Sequence, residues 1–146
     1  MTDWLDKVTR SKIMSSIRSR DTKPELMLRK ALWGCGFSYQ PSIAGKPDFI
    51  HRKAKIAIFV HGCFWHKCPK CYREPQSNRN YWLPKLKKNV ARDKKNRATL
   101  EEKGYKVIEI WEHEIKKDIK KVNRIIRRNL KCCSKKCANF SRIKTN

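Results

Sequence analysis

Acidic residues are scarce in this chain: 13 Asp and Glu stand against 37 Lys and Arg, for a formal net charge of +24. A compact chain so charged repels itself, and a polyanionic partner is the economical compensation. Toward the carboxyl end the scarcity becomes complete. No acid follows Asp118, while Lys120, Lys121, Arg124, Arg127, Arg128, Lys131, Lys135, Lys136, Arg142 and Lys144 do. That stretch reads as a phosphate-binding or disordered segment. Long apolar runs are missing too. None approaches the ~18 residues of a transmembrane helix, and Met1-Thr2-Asp3-Trp4 opens polar, without the look of a signal peptide. The basic helices carry no broad Leu/Phe/Trp face, so a membrane is not the expected target of the charge. No internal repeat divides the 146 residues, which suffice for one domain with a real core but not for two.

Cysteine, by contrast, is plentiful. Seven are present: Cys35 alone, Cys63/Cys68/Cys71, and Cys132/Cys133/Cys137. In the cytosolic setting expected from the polar start, they point to metal binding or reduced thiols rather than disulfides. The middle group lies in the most informative segment, Phe59-Val60-His61-Gly62-Cys63-Phe64-Trp65-His66-Lys67-Cys68-Pro69-Lys70-Cys71-Tyr72. It crowds thiolates, two imidazoles and stackable rings directly behind an apolar run.

Residues 1–20 read as a basic arm, with Ile13, Met14 and Ile17 on one possible helical stripe and Thr9 or Ser11 as its cap. Thr22-Lys23-Pro24-Glu25 has capping-box spacing with Pro in the first turn, and Leu26, Met27, Leu28, Ala31, Leu32 and Trp33 make the following helix apolar until Gly34 and Gly36. Strands are expected at 37–40, 47–51, 55–60 and 105–111, the third apolar enough to be buried on both faces. A loop over 61–78 and a helix from Tyr81 to about Lys103 separate the third strand from the fourth, and a last helix carries Ile119, Val122, Ile125 and Ile126. The order α-β-β-β-α-β-α predicts a three-stranded meander and a crossover to a parallel fourth strand. The fold class is therefore α/β, a mixed sheet flanked by helices. The expected organisation is an arm over 1–20, a main folded domain over 21–130 and a basic, Cys-bearing tail over 131–146.

Asp48 lies within a predicted strand, where Asp is disfavoured, and a divalent cation would repay the placement. A turn joining the second and third strands would bring the backbone of Val60 near its carboxylate. Cys63-x4-Cys68-x2-Cys71 offers three thiolates, the last two at a zinc-knuckle gap. Phe64, Trp65 and Trp82 are the stacking candidates, with Trp82 equally suited to the core; Trp33 and Trp111 are assigned to the core.

Glu25 on a first helix, Gly45-Lys46-Pro47-Asp48-Phe49 on the second strand and a chemistry-bearing end to the third resemble the restriction-endonuclease-like core. The string Val60-His61-Gly62-Cys63-Phe64-Trp65-His66 resembles the very-short-patch-repair (Vsr) DNA mismatch endonucleases, with ordered support from Lys7 through Tyr81-Trp82-Leu83, Lys88-Asn89-Val90 and Arg92-Asp93 to Trp111-Glu112.

This resemblance implies a bacterial, nucleoid-associated enzyme that nicks one strand of double-stranded DNA beside a T:G mismatch, with Mg²⁺ as catalytic and Zn²⁺ as structural cofactor. It implies Mg²⁺ on Asp48 and the backbone carbonyl of Val60, and His66 assisting hydrolysis. His61 and Glu25 would stand in support, with Asp93 as an accessory acid. No Lys follows the third strand at the usual nuclease spacing, so His66 would fill that role. His113 falls where the family supplies its last zinc ligand, and Phe64, Trp65 and Trp82 where it wedges a duplex, with Met14 entering from the opposite groove. A monomer is expected, with other repair proteins as candidate further partners. Plainer readings stand beside these: Glu25 as a helix cap, His61 as a structural hydrogen bonder, His66 as a ligand of the structural metal. At the level of the whole chain, the alternatives are a non-catalytic zinc-stabilised DNA-binding module and a same-core restriction-type enzyme cutting matched duplex.

Overall fold

In the computed structural model, residues 6–16 and 20–130 are described, with no account of the Met14 side chain. Expectations for Met14 and Ile17, and for Cys132, Cys133 and Cys137 in the tail, fall outside what is described. Helix α1 (Lys7–Ser16) begins one turn earlier than its expected caps. Asp6 caps it instead: its carboxylate accepts the Thr9 N–H at 3.1 Å and its carbonyl accepts the Arg10 N–H at 3.0 Å. Thr9 and Ser11 sit inside the helix, and Val8 and Ile13 are exposed.

Helix α2 (Lys23–Ala31) starts where Pro24 predicts, but without the expected capping box. The Thr22 hydroxyl donates to Glu25 Oε1 at 3.0 Å, and the Asp21 N–H donates to Glu25 Oε2 at 3.1 Å. Glu25 is only 5% exposed. A buried carboxylate needs donors more than a helix end needs one extra acceptor, so the hydroxyl turns to the acid. The helix stops at Ala31, and the chain turns through Gly34 and Gly36, both at positive φ. Trp33 therefore leaves the helix and stands 73% exposed, not in the core as expected. Leu28 and Leu32, on the inward side, are buried.

Strands β1 (Ser38–Tyr39), β2 (Phe49–His51), β3 (Ile56–His61) and β4 (Lys106–Trp111) form one sheet in that order. The first two pairings are antiparallel and β3–β4 is parallel. This is the predicted mixed sheet. Asp48 precedes β2 by one residue rather than lying inside it, yet its N–H reaches the Ile58 carbonyl at 2.9 Å and its carbonyl accepts the Gln40 N–H at 2.7 Å. Both faces of β3 are covered. Ile56 and Ile58 join Leu28, Phe49, Ile110, Ile115 and Ile126 on one side; Ala57 and Phe59 meet Leu100 on the other.

Helix α3 (Arg79–Glu102) is the crossover and starts two residues before the expected Tyr81, so Pro84 lies inside it, exposed. Leu86 and Leu100 are its fully buried contacts. A short α4 (Glu112–Lys117), not expected from the sequence, follows β4 directly, with Glu114 Oε2 accepting the Trp111 N–H at 2.9 Å. Helix α5 (Ile119–Leu130) buries Val122, Ile126 and Leu130 along one stripe.

Gly45, in the turn that delivers Asp48, has φ +90, and a Cβ there would stand 2.7 Å from Leu100 Cγ and 3.1 Å from the Asn96 carbonyl oxygen. The turn thus presses bare backbone against α3. Gly45→Ala is expected to cost about 1–3 kcal/mol through overpacking and left-handed strain. A urea-unfolding midpoint equal to that of the wild type would count against this contact.

Candidate active site and metal cluster

Just before β2 the antiparallel register carries the Asp48 carboxylate to β3, where Oδ2 accepts the Val60 N–H at 2.7 Å. In a strand, N–H and C=O of one residue point to the same edge, so the Val60 carbonyl is turned toward Asp48 as well. Burial pushes the Asp48 carboxyl up to about 7; the Val60 N–H and His66 oppose the rise, while Glu25 and Asp93 add to it. Asp48, Glu25, His66 and Asp93 thus share one electrostatic neighbourhood. A hard cation beside Asp48 would relieve the cost of its charge.

His66 is held by Asp93: Nδ1 and Oδ2 are 2.5 Å apart. Asp93 comes from the middle of α3, and α3 also fixes the loop backbone, because Asn89 Nδ2 donates to the Trp65 carbonyl at 3.3 Å. His61 closes β3 rather than opening the loop, and it is 4% exposed. Its ring lies 4.4 Å from that of His66 and 5.2 Å from Trp111, and its Nε2 is 3.6 Å from Glu109 Oε1. Burial first, and His66 second, hold its pKa below the ordinary histidine value despite Asp93 and Glu109, so at neutral pH it is an uncharged imidazole.

The Cys₃His cluster assembles across the parallel pair β3–β4. Sγ of Cys63, Cys68 and Cys71 lies 3.3, 3.6 and 3.5 Å from His113 Nδ1. A tetrahedral ion about 2.3 Å from sulfur and 2.1 Å from nitrogen would set such pairs roughly 3.6 Å apart, so the donors fit one soft cation. Burial opposes charge on Cys68, but backbone N–H groups of Lys70 and Cys71, together with the thiols of Cys71 and Cys63, outweigh it and hold its thiol below the ordinary value. His66 belongs to the other cluster and does not join this one.

Between the two clusters the loop presents its rings. Phe64, Trp65 and Trp82 are all partly buried and touch one another, with centroids 5.2 Å (Phe64–Trp65), 5.4 Å (Phe64–Trp82) and 5.7 Å (Trp65–Trp82) apart. Lys85 Nζ lies 5.6 Å from the Trp65 ring and 5.9 Å from that of Trp82. The rings form a group of their own with a cation against them, so Trp82 is not a residue of the two main core clusters.

Known proteins share this arrangement of sequence. A family model described as DNA mismatch endonuclease Vsr matches residues 2–73. The type II nicking enzyme V.NmeAIP of Neisseria meningitidis serogroup A is 43% identical over 135 residues, covering 87% of this chain and 96% of that protein. The chain belongs to the Vsr family. The DNA mismatch endonuclease Vsr of Escherichia coli (strain K12) is 41% identical over 117 residues, 77% of this chain and 74% of that protein. Type II nicking enzyme V.NaeI of Lentzea aerocolonigenes is 41% identical over 113 residues, 72% of this chain and 68% of its own length. A member of the Vsr family is a DNA endonuclease, and DNA is the polyanion that the charge of +24 anticipates. No described helix of this Vsr-family chain is long and apolar enough to cross a membrane.

Three site neighbours of this Vsr-family chain escaped sequence reasoning. Glu109 beside His61 is one, and its signal was available: an acid interrupting Val107-Ile108-Glu109-Ile110. Tyr39 and Asp21 are the others; the Tyr39 hydroxyl lies 2.9 Å from Asp21 Oδ1 and 3.0 Å from Glu25 Oε2, its one proton serving both acids. No local pattern marks that pair.

The raised Asp48 pKa has a consequence for stability. Between the reference value of 3.8 and about 7 the folded, metal-free chain binds the proton that the unfolded chain has released. Stability from this group is therefore lost as pH rises through that window. Asp48→Asn removes the penalty while keeping an acceptor for the Val60 N–H. In metal-free protein it is expected to raise stability at pH 8 by at most about 4 kcal/mol, and by less at pH 5. Thermal melts showing the larger gain at pH 5 would contradict the assignment.

Proposed function

We propose that this DNA endonuclease nicks one strand of duplex DNA beside a T:G mismatch of the kind left by deamination of 5-methylcytosine, the opening step of very short patch repair. The observation that carries the reading is a shared clamp. Phe64 and Trp65, which can replace lost base stacking, run directly into His66, which can serve a phosphate, and all three sit on the loop tied down by Cys63, Cys68, Cys71 and His113.

Asp48 and the Val60 carbonyl are the donors for Mg²⁺, as hard oxygens suit it. Bound there, Mg²⁺ supplies a polarised water and charge relief on the phosphate. The remaining work falls to side chains. Asp93 takes Nδ1 of His66, which orients the ring and leaves Nε2 to move the proton at the scissile phosphate. His61, uncharged and packed against His66, keeps that ring from turning. Glu25, fixed by Asp21, Thr22 and Tyr39, sets the field at Asp48 and strengthens its claim on a cation. Zn²⁺ on the Cys₃His set would be closed to substrate and purely structural.

Selectivity comes from the rings. Opening a base step costs a few kcal/mol, and a mispair costs less to open than a matched pair, so wedging Phe64, Trp65 and Trp82 into the duplex favours mismatches. Lys and Arg over 7–30 and 85–97 grip phosphates and set the register. The reading takes the chain as a monomer on its DNA.

One assay tests this. Labelled duplexes carrying T:G or C:G at one position are incubated with Mg²⁺ or EDTA. Nicking is expected for T:G with Mg²⁺ only. His66→Ala is expected to slow it by about 10²–10⁴-fold. Asp48→Ala is expected to slow it by roughly 10³-fold or more, as loss of several kcal/mol of charge stabilisation implies. Relatives carry the name type II nicking enzyme; in the matched C:G arm, nicking equal to that of T:G would overturn mismatch selection. For the clamp, Cys68→Ala is expected to lose bound zinc and to lower the melting temperature. A variant that keeps about one zinc per chain would overturn the ligand set.

A further inference from the structure

His61, His66 and Asp93 offer one ligand atom each, and these atoms lie within 4.8 Å of one another. We propose that these three side chains form a second, inhibitory site for a borderline-soft divalent cation of the Zn²⁺, Co²⁺ or Ni²⁺ class, whose occupation switches nicking off. The claim of inhibition rests on the proposed role of His66; the claim of binding does not.

The donor set argues for that class of ion. Two imidazoles and one carboxylate suit zinc, cobalt and nickel, whereas Mg²⁺ prefers oxygens alone. The geometry is nearly made. Metal–ligand bonds of about 2.0–2.2 Å place donors of one ion roughly 3–3.5 Å apart, so side-chain rotations of about an ångström complete the site. The rings of His61 and His66 are already adjacent at 4.4 Å. His61 is anchored by burial at the end of β3 and His66 by the sulfur-rich clamp, so little freedom is lost on binding. Glu109 Oε1, 3.6 Å from His61 Nε2, adds a carboxylate of the kind that orients ligating histidines. Asp48 couples electrostatically to both His66 and Asp93.

Occupation would engage the His66 imidazole and draw Asp93 from it, removing the group that moves the proton. The enzyme would then need one zinc ion in its clamp and be blocked by the next.

The test uses the full-length chain with C132S, C133S and C137S, so that tail thiols take up no metal, loaded with one equivalent of zinc. Equilibrium dialysis against Zn²⁺ is read by metal analysis, and nicking of the T:G duplex is measured in saturating Mg²⁺ at the same free zinc. Wild-type sites are expected to take a second equivalent with nicking falling roughly tenfold or more, and a weak chelator should reverse both while leaving the thiolate-bound ion. Asp93→Ala should keep the first equivalent, showing that it is folded, and lose the second. Uptake of a single equivalent by the parent chain, or two by Asp93→Ala, would overturn the site. A second equivalent without loss of nicking, in a protein that His66→Ala inactivates, would overturn the inhibition. Full nicking by His66→Ala would instead defeat the proton-transfer reading, and zinc uptake would then decide the site by itself.

Discussion

Val60 stands opposite Ile110, and His61 opposite Trp111, at the ends of two parallel strands; the functional end of the molecule hangs on this one register. Two residues past His61 comes Cys63, and two past Trp111 comes His113. The backbone hydrogen bonds of the sheet therefore deliver the first thiol and the imidazole to one place before any metal joins them. Cys68 and Cys71 then fold back onto the pair, and the loop between is fixed at both ends. A slip of the pairing by one residue would turn each side chain to the other face of the sheet, parting Cys63 from His113 and His61 from Glu109 together.

The same sheet accepts an electrostatic cost. Glu25 and Asp48 are carboxylates in or near the core of a chain with few acids. Each is answered differently. Glu25 is surrounded by donors from Asp21, Thr22 and Tyr39 and has spent its acceptors on them. Asp48 receives one backbone N–H and the neighbouring His66, but burial and the acids Glu25 and Asp93 outweigh them, which leaves it poorly compensated without a cation. Incomplete compensation at one position and full compensation at the next is the pattern expected where stability is traded for a binding site.

Some of this was readable in order along the chain. The apolar run 56–60 is buried because its residues are apolar, whereas the press of Gly45 against α3 came only from the structure. The parallel fourth strand followed from the length of the crossover helix. Other features were not readable locally. Trp33 looked like a continuation of the apolar helix, but the helix ends at Ala31 and its ring turns outward. Thr22 and Glu25 have capping-box spacing, yet the burial of Glu25 redirects the hydroxyl. Helix α4 is only one to two turns of charged sequence, with a single buried contact in Ile115, and carries no periodic signal of its own.

The sequence by itself determined the alternation of elements, the basic surface and the chemical types of the donors, because propensity, charge and ligand softness belong to the residues. Only the tertiary structure decided which donors share a site. His66 lies five residues from His61 in the chain but takes its carboxylate from Asp93 on a distant helix; Cys63 meets His113 across a strand pair. Those pairings depend on sheet register and helix packing, which are properties of the whole fold and cannot be read from spacing along the chain.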